Sequence, residues 1–239
     1  LPVGFPWKTT PSHQVGVANV VPGSGVTHCL SGVAEAYMDT VPLVVLTCGI
    51  RNDTGKAYQL HDIDQLALLA PVTKATFRVE RADQLYPTVR HAFDVARRDA
   101  PGPVAVEVPA NLYMLAQDAG EAAYDETRPY PPQPSERDLA RAAELLAAAR
   151  RPAIYAGMGC RDAVAELRRL AERLDAPVAT TISGKGVVPE DHPLFLWNGF
   201  GASAPPFVRD VAERCDCLLA VGCRFGEVAT GSYGFEVPA

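Results

Sequence analysis

Two short runs decide most of what this chain can fold into. VPLVVLTCG (41–49) and GPVAVEVPA (102–110) are rich in β-branched and aliphatic residues, are bounded by Pro or Gly, and lack the strict alternation of a half-exposed strand. Runs of this kind are strands buried on both faces, as in a parallel sheet with helices on either side. Helical periodicity lies between and before them, at Val26 to Met38 and at Ala82 to Arg97, where Leu85, Val89, Phe93 and Ala96 fall on one face. The expected class is α/β, with parallel sheets covered by helices.

Residues 117–135 (QDAGEAAYDETRPYPPQPS) hold four prolines after Arg128, several acids and few aliphatics, the composition of a linker. They divide the chain into a first domain over 1–116 and a second over 136–239. Ser135 is a fitting N-cap, with Asp138 three residues on, for a helix running to Arg150. A strand at 152–157, a Gly-Met-Gly turn, a helix at 163–174 and a strand at 176–181 follow. After a Gly- and Pro-rich region to Pro206 come a helix at 207–215 and a strand at 217–222. This rhythm is Rossmann-like, so two three-layer α/β domains are expected.

With 22 basic against 28 acidic side chains in 239 residues, the formal charge is −6, which gives no sequence-wide positive field for nucleic acid or an anionic membrane. A small molecule is the expected partner. The longest apolar stretch, Val41 to Ile50, is about half the ~20 residues of a membrane helix. Residues 1–15 have no apolar core and do not read as a secretory signal. The six cysteines fit no zinc spacing: Cys215 and Cys217 have only Cys223 nearby and no neighbouring His. Cys29 and Cys48 are expected in core positions, and reduced cysteines suggest a cytoplasmic setting.

Three glycine turns follow strands or apolar runs: Gly23-Ser24-Gly25, Gly157-Met158-Gly159 and Gly184-Lys185-Gly186. Such turns can offer backbone N–H groups to an anion, or can need Gly only for backbone freedom. Ordinary dinucleotide binding is disfavoured, because the third small residue of that fingerprint is replaced by His28 and Asp162. His28, His61, His91 and His192 are scattered, so neither a metal triad nor a Ser/His/Asp constellation can be assembled. Lys74 precedes the β-like ATFRVE and stands either at a strand start facing a cleft or on the solvated surface.

In order along the chain, PGSGVTHCLSGVAEAYMDTVPLVVLTCG (22–49), AYQLHDID (57–64), PVTKATFRV (71–79) and GPVAVEVPAN (102–111) resemble the pyrimidine-binding domain of thiamine-diphosphate enzymes, most closely the acetolactate synthases. RPAIYAGMGCR (151–161), APVATTISGKGVVPEDHP (176–193) and LLAVGCRFGEVATG (218–231) resemble the central domain of the same family. The resemblance implies decarboxylation of a 2-keto acid and carboligation to a second carbonyl compound, in branched-chain amino acid biosynthesis, by a homodimer or homotetramer. The family turn Gly-Pro-Gly-x-Thr-Asn beside the pyrimidine is matched by Gly23, Ser24, Gly25, Val26, Thr27 and His28, with Ser24 and His28 as departures. Gln59 matches a glutamine beside the reacting centre, Tyr58 an aromatic of the substrate pocket, and Lys74 a lysine suited to a keto-acid carboxylate.

The resemblance leaves FAD open in the central domain. Gly157, Gly159, Thr181, Gly184 and Arg224 match contact positions, whereas Val228 replaces a second arginine. The family's activating glutamate would precede Ser24 by more residues than this chain has. The Mg2+ and diphosphate site belongs to a third domain, outside this chain. The resemblance therefore implies a fragment, inactive alone. The alternatives are a 2-keto acid decarboxylase or other carboligase, and a noncatalytic nucleotide-binding or subunit-interaction module.

Overall fold

A computed structural model describes residues 15–120, 123–124 and 133–234. The expectations for residues 1–14, 121–122 and 125–132, which cover the reading of the first residues as no secretory signal and much of the linker, lie outside the described residues. By its contacts the chain divides into two compact units, Leu1–Gln133 and Pro134–Ala239.

The first unit runs β1 (Gly16–Val20), α1 (Ser24–Met38), β2 (Leu43–Gly49), α2 (Gln65–Leu69), a 3-10 turn (Ala70–Val72), β3 (Ala75–Arg78), α3 (Ala82–Arg97), β4 (Pro103–Pro109) and α4 (Ala110–Met114). Among the described residues its four strands are all parallel, in the order β1-β2-β4-β3. In β2 and β4 successive side chains enter opposite layers. Leu43, Val45 and Ala105 pack with Val26, Val33 and Ala36 of α1 and with Leu69 of α2. Val44, Val104 and Val106 pack with Ala92 and Ala96 of α3. Both faces of the two central strands are thus buried, which is why their sequences read as unbroken apolar runs. β1 is an edge strand in which Val17 is exposed, and so it lacks that signature. Cys29 and Cys48 are half-buried beside the core rather than within it. Cys29 sits one turn into α1, where its thiol donates to Val26 O at 3.2 Å.

The second unit runs α5 (Glu136–Ala148), β5 (Pro152–Ala156), a 3-10 turn (Met158–Cys160), α6 (Val164–Leu174), β6 (Val178–Thr180), β7 (Phe195–Asn198), α7 (Pro206–Arg214) and β8 (Cys217–Val221). Its strands are again all parallel, ordered β7-β6-β5-β8. Leu167 and Ala171 of α6 cover Ile154, Ala156 and Val178. On the opposite face Val208 of α7, Phe200 and Ala204 cover Ala153, Tyr155 and Ala179. Ser135 caps α5 by accepting from the Asp138 N–H at 3.1 Å. The Asp216 carboxylate accepts from the Arg150 and Arg151 N–H groups, both at 2.9 Å, tying the entry of β8 to that of β5. Those two backbone donors hold its carboxyl below the usual range. β7 lies inside the stretch that composition marked only as Gly- and Pro-rich.

Candidate functional site

Parallel sheets of this kind place ligands at the carboxyl ends of their strands. In the first unit that edge is built by the turn after β1, the loop after β2 and the ends of β3 and β4. β1 ends at Val20 and α1 starts at Ser24, so the chain reverses in three residues. Gly23 makes this possible at φ +65, a conformation costly for any side chain. A Cβ there would also stand 2.9 Å from His61 Cβ and 3.1 Å from His61 O, so the turn and the loop of residues 50–64 touch. No side chain caps α1, and Ser24 and His28 lie exposed on its first turns.

Beneath the turn is a buried polar chain. Gln65 Oε1 accepts from the Gly23 N–H at 3.3 Å. Gln65 Nε2 donates to Cys48 O at 2.9 Å and to Glu107 Oε2 at 2.8 Å. Glu107 Oε1 in turn accepts from Arg78 Nε at 2.8 Å. Gln65 is 2% exposed and Glu107 7%, while half of the Arg78 side chain faces solvent. A buried carboxylate must be paired and hydrogen-bonded. Here the guanidinium and the amide meet that need from opposite sides. Neither Gln65 nor Glu107 was among the residues marked from the sequence. The signal was available in Glu107, a charge in the middle of a strand otherwise apolar on both faces.

Gln59 lies two residues before His61, in the loop that touches the turn. Its Nε2 donates to Arg51 O at 2.9 Å and Lys56 O at 3.3 Å, which leaves Oε1 as its remaining acceptor. Tyr58, at φ +56, is fully exposed at the loop's tip. The loop returns to α2 through Asp64, which caps that helix by accepting from the Ala67 N–H at 3.0 Å.

Lys74 does not join this edge. Its N–H bonds Pro103 O at 2.7 Å, where β4 begins, so it sits at the amino ends of the strands. Strands of five to seven residues separate it from the Gly23 turn by roughly 15 Å or more. Its Nζ donates to Val95 O at 2.6 Å and Arg98 O at 2.5 Å, satisfying carbonyls that the end of α3 leaves without intrahelical partners. Burial holds its pKa below the usual lysine range, against an opposing effect of Asp99. The expectation of an ammonium beside a keto-acid carboxylate is corrected accordingly: this lysine is a helix cap.

In the second unit the turns after β5, β6 and β8 converge on one another. A Cβ at Gly157 would lie 2.1 Å from Gly222 O, one at Gly159 2.7 Å from Gly222 Cα, and one at Gly184 2.8 Å from Ala156 O. The sequence marked Gly157, Gly159 and Gly184 as cofactor contacts. The structure accounts for all three by backbone packing on backbone. Thr181 is buried, its Oγ1 accepting from the Gly184 N–H at 2.9 Å, and Arg224 is exposed. Among the described residues, no group of three or more His, Cys, Asp or Glu could hold a metal ion, and no helix is long and apolar enough to cross a membrane.

Two family matches follow the division into units. Residues 9–68 match the thiamine pyrophosphate enzyme N-terminal TPP binding domain, and residues 139–239 match the thiamine pyrophosphate enzyme central domain. A probable acetolactate synthase large subunit of Methanocaldococcus jannaschii is 34% identical over 95% of this chain and 39% of its own length. A probable 2-ketoarginine decarboxylase of Pseudomonas aeruginosa is 35% identical over 90% of this chain and 39% of its own. The acetolactate synthase isozyme 2 large subunit of Escherichia coli is 29% identical over 94% and 41%. The chain thus spans about two fifths of the length of these curated relatives.

Proposed function

The chain belongs to the thiamine pyrophosphate enzyme family, and from that premise we propose that it supplies the pyrimidine-binding face and the central domain of an enzyme acting on a 2-keto acid. The observation that supports the reading is the contact between Gly23 and His61, which brings the Gly23 turn and the Gln59 loop to one strand-end edge.

The residues at that edge fit an aminopyrimidine. The Ser24 hydroxyl and His28 imidazole are exposed and can each donate or accept, and Gln59 Oε1 can accept from an amino group. Bound thiamine diphosphate supplies a carbon nucleophile for the keto carbonyl and an electron sink for loss of carbon dioxide. The part played by this chain is to bind and orient. Gly23 is held from beneath by Gln65, and Tyr58 offers an aromatic surface to the substrate. On this reading the diphosphate and Mg2+ are held by residues outside the chain, and the working protein is a homodimer or homotetramer. Six free cysteines suit a cytoplasmic enzyme.

FAD fares differently. The three glycines are explained by self-packing, and the position of a second arginine is Val228, 69% exposed. The residues present do not fit a bound flavin, and no role is assigned to one.

The reaction proposed is decarboxylation followed by carboligation, as the names of two of the relatives suggest. Decarboxylation alone is the second reading, favoured by the 35% identity to the probable 2-ketoarginine decarboxylase. The test is product analysis of the full-length protein with pyruvate, thiamine diphosphate and Mg2+, and with 2-ketoarginine in parallel. Acetolactate from pyruvate supports the first reading. Acetaldehyde, or release of carbon dioxide only from 2-ketoarginine, supports the second. No carbon dioxide from either keto acid overturns both and favours a noncatalytic module.

A further inference from the structure

We infer that Gln65 is the positioning residue of the pyrimidine-binding turn, acting through the Gly23 N–H and clamped by Glu107. The inference rests on the thiamine reading above and adds a residue that the sequence resemblance does not point to. All of the amide's principal hydrogen-bonding capacity is used, and in only one orientation. Nε2 faces two acceptors, Cys48 O and Glu107 Oε2, and Oε1 faces one donor, the Gly23 N–H. A flipped amide would set oxygen against a carbonyl and a carboxylate. The orientation is therefore fixed, and with it the direction of the Gly23 peptide.

Three segments meet at this one side chain. Cys48 is the last residue but one of β2, Glu107 lies in the second half of β4, and Gly23 precedes α1, so Gln65 registers the turn against the sheet. The Gly23 side has little other freedom, because His61 fills the space where a side chain would sit. Arg78 completes the arrangement by donating to the far oxygen of Glu107 at 2.8 Å, so both carboxylate oxygens have a partner. A network buried to this degree is costly when half-satisfied, so losing one member should move the turn as well as destabilise the unit.

The experiment uses the full-length protein and compares wild type, Gln65→Leu, Gln65→Glu and the double variant Gln65→Glu/Glu107→Gln. The readouts are thermal midpoint, the thiamine diphosphate concentration for half-maximal activity, and the KM for the keto acid. Gln65→Glu sets two carboxylates where a 2.8 Å amide–carboxylate bond stood, and the double variant restores a donor and an acceptor between positions 65 and 107 with their places exchanged, while Cys48 O still loses its donor. We expect half-saturation by thiamine diphosphate to rise roughly tenfold or more in both single variants, the effect of losing one charged hydrogen bond, with a smaller change in keto-acid KM. The double variant should recover part of the loss, since the pairing with position 107 and the acceptor for the Gly23 N–H are both kept. A residue of purely structural importance would lower the thermal midpoint and leave half-saturation of the folded enzyme unchanged, and that result overturns the inference. Should a single variant fail to fold, the double variant decides: wild-type-like stability without recovered cofactor saturation also overturns it. A wild-type protein whose activity is independent of thiamine diphosphate removes the underlying reading, an outcome distinct from normal saturation in the variants.

Discussion

Gly159 and Gly222 meet backbone to backbone: a Cβ added to Gly159 would stand 2.7 Å from Gly222 Cα, and one added to Gly222, at φ +64, would stand 2.7 Å from Gly159 Cα. The turns after β5 and β8 can nest only because both side chains are hydrogen. Gly159→Ala and Gly222→Ala are each expected to destabilise the second unit by roughly 3 kcal/mol or more, from overpacking and, at Gly222, backbone strain. Gly226→Ala, with nothing within 4 Å of its Cβ, should stay within about 0.5 kcal/mol of wild type. Urea unfolding of the three variants checks the ordering, and equal effects at Gly222 and Gly226 would contradict the nesting.

Lys74 offers a second test, because sequence and structure assign it different work. As the cap of α3 it holds two carbonyls, so Lys74→Met should lower stability by about 1–3 kcal/mol. Keto-acid KM in the full-length enzyme should not change. A variant of unaltered stability with a KM raised many-fold would return the residue to the substrate.

Cys223 gives a dependence on pH. Burial first, and neighbouring Cys160 second, push its thiol from the ordinary 9.0 up to about 11. Below pH 9 both folded and unfolded chains keep the proton, and the group contributes nothing. Between about 9 and about 11 the unfolded chain releases its proton while the folded thiol, donating to Tyr155 O at 2.9 Å, retains it. The folded state then binds more protons, so stability falls as pH rises through that window. Denaturant midpoints measured from pH 8 to 11 should decline, and Cys223→Ala should make the decline shallower. An unchanged slope would assign the effect to other groups.

The parts of the fold legible in the sequence were those where one force dominates. β2 and β4 are buried on both faces, and their composition says so directly. α3 declares its extent through Leu85, Val89, Phe93 and Ala96, and runs from Ala82 to Arg97 as its periodicity predicts. β1 and β7 were not anticipated, since an edge strand of four or five half-exposed residues has no pattern stronger than that of a loop. At the candidate site the glycine turn was visible because positive φ leaves a mark in residue type. Gln65 was not, because an amide satisfied by three distant partners has no local signature. Lys74 was misplaced for a related reason. Its position before β3 is evident from sequence, but which end of a parallel strand faces the ligand depends on the sheet around it.

The helix α5 carries a consequence of its own. Every residue along it is open to solvent or nearly so, Leu139 and Leu145 at 55% and 51%, and none is counted in either hydrophobic layer of the second unit. A 13-residue helix whose packing is limited to a light contact with β8 is only marginally persistent in water. It can open while the sheet, α6 and α7 stay packed. Its amides should therefore exchange with deuterium at near-local rates, long before those of Ile154 or Val178 in the adjoining strands, and protease should cut it before it cuts those strands.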